Sequence, residues 1–131
     1  MEKVRVNATI GMEHYATHIT AGHNNITADE PLDKGGKDKG FTPKELLASS
    51  LAACTAITLR MYISRKNWPL ENIHVEVEVK QDTDIDSTIF ERRITLDGEV
   101  TDEQRDKILT IANQCPVHKI LTKSIFVNTS I

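Results

Sequence analysis

The sequence predicts a single α+β domain, residues 1–131, with strands first, then a long helix, a strand pair, two shorter helices and a closing strand. Three features carry that prediction. Thr42-Pro43-Lys44-Glu45 is a helix start, with Thr as N-cap, Pro at the first helical position and Glu at the third. IHVEVEVK, residues 73–80, alternates apolar and polar side chains as a strand with one solvated face does. Thr101-Asp102-Glu103-Gln104 repeats the helix-start logic with Gln at the third position.

Taken in order, residues 3–10 and 15–20 alternate as short strands, with Gly11-Met12 as the break between them, and 23–28 supplies a third. DEPLDKGGKDKGF, residues 29–41, mixes Gly, Pro and charges and reads as a long loop. The helix opened by Thr42 is expected to run to about Lys66, because Asn67-Trp68-Pro69 stops it. Leu47, Leu51, Cys54, Thr58 and Met61 step by four and three along it, so the spacing predicts that Cys54 lies on the buried stripe. Arg60 and Arg65 read as its solvated side. Residues 88–96 pair with 73–80 across a turn at 82–87. A helix from Thr101 to about Gln114 draws its apolar face from Ile108, Leu109, Ile111 and Ala112. Cys115-Pro116 then makes Cys115 the N-cap of a short helix over 116–123, and 124–129 is expected as the closing strand.

Bulk properties narrow the function. Apolar residues at 39% and charged residues at 27% describe a chain able to bury a core, not a disordered one. A net charge of -3 and a pI near 5.9, without a dense Lys/Arg run, give no general attraction for nucleic acid or anionic lipid. The N-terminus lacks the apolar core of a signal peptide, and the low-charge stretch Leu46–Leu59 is short for a bilayer span. A cytoplasmic protein with neither nucleic acid nor membrane as partner is expected.

Two cysteines, Cys54 and Cys115, are too few for a secreted disulfide scaffold. They leave several chemistries open. A thiolate attacks a peroxide O–O bond and becomes a sulfenic acid, which a second cysteine condenses to a disulfide that an external dithiol reduces. At a helix N-terminus, Cys115 has a physical reason to ionise, whereas Cys54 in mid-helix has none from its own helix. Both could equally be buried and inert. A third reading takes Cys115-Pro116-Val117-His118 plus Cys54 as zinc ligands, against the four that structural zinc usually takes.

Thr42-Pro43-Lys44-Glu45-Leu46-Leu47 with Ala52-Ala53-Cys54-Thr55 resembles the first cysteine motif of the OsmC/Ohr family. Cys115-Pro116-Val117-His118-Lys119 resembles the second, in its OsmC-like form. The resemblance implies an OsmC-like fold: an intertwined homodimer with a long central helix carrying Cys54 packed against antiparallel sheets, and active sites at the subunit interface. It implies reduction of organic hydroperoxides, with Cys54 attacking and Cys115 resolving, recycled by a dithiol reductant such as a lipoyl group, with no cofactor and no metal. The order of the two cysteines is the reverse of that favoured by the helix-end argument. In the best-studied branch an Arg and a Glu support the first cysteine. His23 occupies the Arg position, Lys44 the Glu position, and Glu45 lies one residue on, about 100° around the helix. His23 and Glu45 are the candidate substitutes. The departure motivates an alternative: a redox-responsive or small-molecule-binding protein of the same fold with little peroxidase turnover.

Overall fold

In the computed structural model, which describes residues 1–131, the chain divides into two units, 1–47 and 48–131. The first unit is an antiparallel meander of β1 (Asn7–Ile10), β2 (Thr17–Ala21) and β3 (Asn24–Ala28), in that spatial order. β2 and β3 are joined by the two-residue turn Gly22-His23, where Gly22 has φ 61, a left-handed conformation that costs glycine little. β1 is shorter than the expected 3–10. Val4 and Val6 are exposed, and residues 3–6 have no strand beside them.

The long loop is ordered around one carboxylate. Asp29 is buried, and its oxygens accept the backbone N–H groups of Tyr15 (3.2 Å), Glu30 (2.7 Å), Lys37 (3.3 Å) and Lys39 (3.2 Å). Burial alone would raise the Asp29 pKa, but these four donors hold it below the usual carboxylate value. A 3-10 turn, Leu32–Lys34, fills the middle of the loop. Gly36 is buried against the Glu30 carbonyl, where any Cβ would collide.

Helix α1 (Pro43–Arg65) starts at the capping box read from sequence. Thr42 N–H donates to Glu45 Oε1 at 2.9 Å, and Glu45 N–H donates to Thr42 Oγ1 at 3.2 Å. Its end is a Schellman cap: Asn67 is left-handed (φ 57), Asn67 N–H reaches Ser64 O, and Trp68 N–H reaches Ile63 O. Arg60 is not merely solvated. Its guanidinium donates to the carbonyls of Leu70 and Glu71 and ties the following loop to the helix. At 23 residues α1 is long and apolar enough, by length and composition, to cross a membrane. Core helices pass the same test, and Leu59 and Ile63 here are fully buried.

In the second unit β4 (Ile73–Asp82) and β5 (Ser87–Leu96) form an antiparallel pair in register from Ile73↔Leu96 to Asp82↔Ser87. Their inward residues join Leu59, Ile63, Leu70, Ile108 and Ala112 in one core, with Ile73, Ile94 and Leu96 packed against it. Helix α2 (Asp102–Ala112) begins at its predicted capping box and closes this core. Helix α3 (Pro116–Leu121) follows with Cys115 as N-cap.

Two further expectations are corrected. Residues 124–129 are not a strand: the segment is exposed, Phe126 being 85% so, and no edge within the chain pairs with it. Strand propensity alone does not form a ladder. The buried stripe of α1 is Leu51, Thr55, Leu59, Tyr62 and Ile63, not the 47-51-54-58-61 row. The helix is apolar on most of its circumference, so spacing could not choose a face. Cys54 is half-buried, and Ile57 and Met61 beside it are exposed.

Candidate active site

Cys54 and Cys115 come together in the second unit as two free thiols. Cys54 projects from the middle of α1 and is partly accessible. Cys115 is fully buried. The short helix α3 supplies a backbone donor to each sulfur. His118 N–H donates to Cys115 Sγ at 3.3 Å, and Val117 N–H bonds Cys54. Pro116 explains this local geometry: it fixes the first helical turn and lets Cys115, in extended conformation, cap it.

Burial pushes the Cys54 thiol above the ordinary range. The neighbouring Cys115 pushes it the same way, as a hydrogen-bond partner and as a like charge. The Val117 N–H and the Thr58 side chain pull it down. A second anion beside the first is unfavourable, which is why the neighbouring sulfur opposes ionisation of Cys54.

Around Cys115 lies a polar cluster that the sequence reading did not identify. Thr55, fully buried one residue beyond Cys54, places Oγ1 3.9 Å from Cys115 Sγ and donates to Leu51 O at 2.7 Å. Arg92 of β5 reaches the same hydroxyl. Its Nη1 donates to Thr55 Oγ1 (3.1 Å) and Ala112 O (3.3 Å), and its Nη2 to Asn113 Oδ1 (2.8 Å) and His118 Nδ1 (3.2 Å). Because a guanidinium only donates, His118 Nδ1 accepts and the neutral ring carries its proton on Nε2. Burial, and then the Arg92 charge, keep the His118 pKa below the usual imidazole range. A signal for Arg92 does exist in the sequence: Phe90, Ile94 and Leu96 alternate inward along β5, which puts Arg92 on the buried face. A cavity of about 450 Å³ opens beside this cluster, with Leu51, Phe90, Leu109 and Leu121 as apolar wall and Arg92, Asn113 and His118 as polar floor.

The other two predicted site residues lie in the first unit. Glu45 spends a carboxylate oxygen on the α1 cap. His23 sits exposed in the β2–β3 turn, its carbonyl accepting from Asn25 Nδ2 at 3.2 Å. The zinc reading does not assemble: no group of three or more His, Cys, Asp or Glu side chains converges to hold a metal ion, and His118 Nδ1 is taken by Arg92.

The fold matches solved structures at low sequence identity. An OsmC-like protein of Mycoplasma pneumoniae is 20% identical, with 92% of this chain and 87% of that chain covered and a TM-score of 0.77. A Psychrobacter arcticus 273-4 protein, named for osmotic stress induction and detoxification response, is 24% identical over 92% and 89% of the two chains, also with a TM-score of 0.77. The organic hydroperoxide resistance protein OhrB of Bacillus subtilis is 21% identical over 92% and 91%, with a TM-score of 0.60. No curated protein sequence matches the chain. The family model described as OsmC-like protein matches residues 36–130, which include both cysteines and every residue of the polar cluster, and the chain belongs to the OsmC family.

Proposed function

We propose that this protein reduces organic hydroperoxides with Cys54 as attacking thiolate and Cys115 as resolving thiol. The observation that carries the reading is the pairing of a partly accessible sulfur with a buried one, both reduced and within reach of each other. Access decides the order. A peroxide reaches Cys54, while Cys115 is shielded from solvent.

The Cys54 thiolate attacks one peroxide oxygen and the O–O bond breaks. The alkoxide leaves, takes a proton and becomes the alcohol, and Cys54 is left as a sulfenic acid. Cys115 then attacks the Cys54 sulfur. The S–O bond breaks, the hydroxide leaves as water with the proton that Cys115 released on ionising, and the disulfide closes. An external dithiol, in this proposal of the lipoyl type, exchanges with the disulfide and leaves oxidised.

The proposal includes a homodimer. Ile57 and Met61 expose the apolar flank of α1 beside Cys54, and the 124–131 segment exposes Ile125, Phe126 and Val127. A second copy covering these surfaces would bury them and enclose the more accessible thiol. His23 and Glu45 enter only through the family resemblance, since the hydrogen bonds described give Glu45 a capping role and leave His23 at an exposed turn. The raised Cys54 pKa favours a second reading, a redox-responsive protein that oxidises once without efficient turnover.

The deciding experiment adds one equivalent of cumene hydroperoxide or hydrogen peroxide to reduced protein, followed by thiol titration and intact mass. Loss of both thiols with a mass lower by about two hydrogens supports the cycle. Survival of both thiols for minutes removes the enzyme reading. Rapid oxidation that no dithiol reverses favours the redox-responsive alternative.

A further inference from the structure

We infer that Arg92 is a positioning residue for the thiol pair: its charge, passed through the Thr55 hydroxyl, supports the Cys115 thiolate in the step that closes the disulfide. The inference deepens the thiol-pair reading above and rests on it for that step alone.

Arg92 is a half-buried cation whose four hydrogen-bond partners, Thr55 Oγ1, Ala112 O, Asn113 Oδ1 and His118 Nδ1, are all neutral. A partly desolvated charge with no counter-ion is costly unless an anion comes to meet it. The titratable groups facing it are few. Helix α1 brings Cys54, the 112–121 segment brings Cys115 and His118, and β5 brings Glu91, whose exposed side chain borders the cavity. His118 is neutral, and Cys115 is the group that the Thr55 hydroxyl joins to Arg92.

The hydroxyl is placed to act as the link. With Cys115 protonated, Thr55 gives its hydrogen to Leu51 O. When Cys115 ionises, the hydroxyl turns its hydrogen to the sulfur while its oxygen continues to accept from Arg92. The guanidinium thus favours the thiolate without touching it, and the His118 N–H adds a direct donor. The timing suits the chemistry. Once Cys54 is a neutral sulfenic acid no like charge stands beside Cys115, which attacks as the thiolate.

The test uses the full chain with Cys54→Ser, leaving Cys115 as sole thiol, and follows thiolate absorbance against pH. Arg92→Met and Arg92→Gln are expected to shift ionisation upward by about one pH unit, about tenfold less thiolate at a fixed pH below the transition. Arg92→Lys, which keeps the charge, should stay within about threefold of the parent. Superimposable titrations of the neutral variants and the parent overturn the inference. So does a shift in Arg92→Lys as large as in Arg92→Met, which would mark lost packing. In the two-cysteine protein, Arg92→Met should hold the sulfenic acid, seen as added mass of about 16 Da, about tenfold longer after cumene hydroperoxide. Separated titrations without any peroxide reaction would sink the peroxidase reading and leave the role of Arg92 standing. Unchanged titration with normal disulfide closure would do the reverse.

Discussion

Replacing Thr55 by Val separates the hydrogen bond from the charge. The two side chains have nearly the same shape, and the site is fully buried, so no cavity opens and the change is chemical. The variant loses the bond from the Arg92 guanidinium, which for a charged donor is worth about 1.5–3 kcal/mol. Trading the buried hydroxyl for a methyl returns about 0.8 kcal/mol. Leu51 O keeps its helical partner, and Arg92 Nη1 keeps Ala112 O, so neither is orphaned. The expected net cost is therefore about 1–2 kcal/mol, a fall in Tm of about 4–8 °C for a chain of this size. Both proteins are melted at equal concentration, because a dimer's Tm depends on it. Chemical denaturation should show a shifted midpoint with unchanged slope. A variant as stable as the parent, or more so, would refute the idea that Thr55 anchors Arg92. With Arg92 still present but its bridge cut, the Cys115 thiolate should also weaken, short of the full effect of Arg92→Met.

Other expectations follow from the same geometry. In Cys115→Ser, peroxide should leave Cys54 as a sulfenic acid, with mass higher by about 16 Da and no disulfide, by mass spectrometry with a sulfenic-acid trap. Leu59→Ala, at the centre of the core beside Ile63 and Ile108, should cost about 2–5 kcal/mol by denaturant titration. Asp29→Asn should loosen the 30–40 loop, seen as faster tryptic cleavage at Lys34, Lys37 and Lys39 than in the parent. The pH trend has a definite sign. The Asp29 pKa is lower folded than unfolded, so its stabilisation is complete above the ordinary carboxylate range and is lost as pH falls through the depressed value. His118, also depressed, adds a loss that begins earlier, as pH falls through the ordinary imidazole range, because the unfolded ring takes up its proton first.

Most of the secondary structure was legible because local rules decided it. Both capping boxes, the Asn67 stop, the 73–80 alternation and the Cys115-Pro116 cap depend on residues a few positions apart. What was not legible depended on distant partners. The face of α1 was set by β4, β5 and α2 packing on an almost uniformly apolar helix. The 124–129 segment has the composition of a strand but no neighbour within the chain. Arg92 lay within reach of inference, since inward alternation in β5 already marked an inward-facing cation. Its meaning required knowing that Thr55, Asn113 and His118 converge on it, which no spacing in the sequence conveys.

The two ways of ordering the cysteines, by helix-end electrostatics and by family resemblance, address different steps. Electrostatic support gathers on Cys115, which caps α3 and faces the Arg92–Thr55 pair. Access belongs to Cys54, whose own support is limited to the Val117 N–H and Thr58. If the better-supported sulfur also attacked first, a peroxide would have to enter a fully buried position. If support lay on the accessible sulfur instead, the resolving thiol would remain protonated beside the sulfenic acid, which would be exposed to over-oxidation. Assigning attack to Cys54 and charge stabilisation to Cys115 gives each sulfur the property its step lacks. The first step is then limited by ionisation of Cys54, so its rate should keep rising with pH above the range of an ordinary thiol.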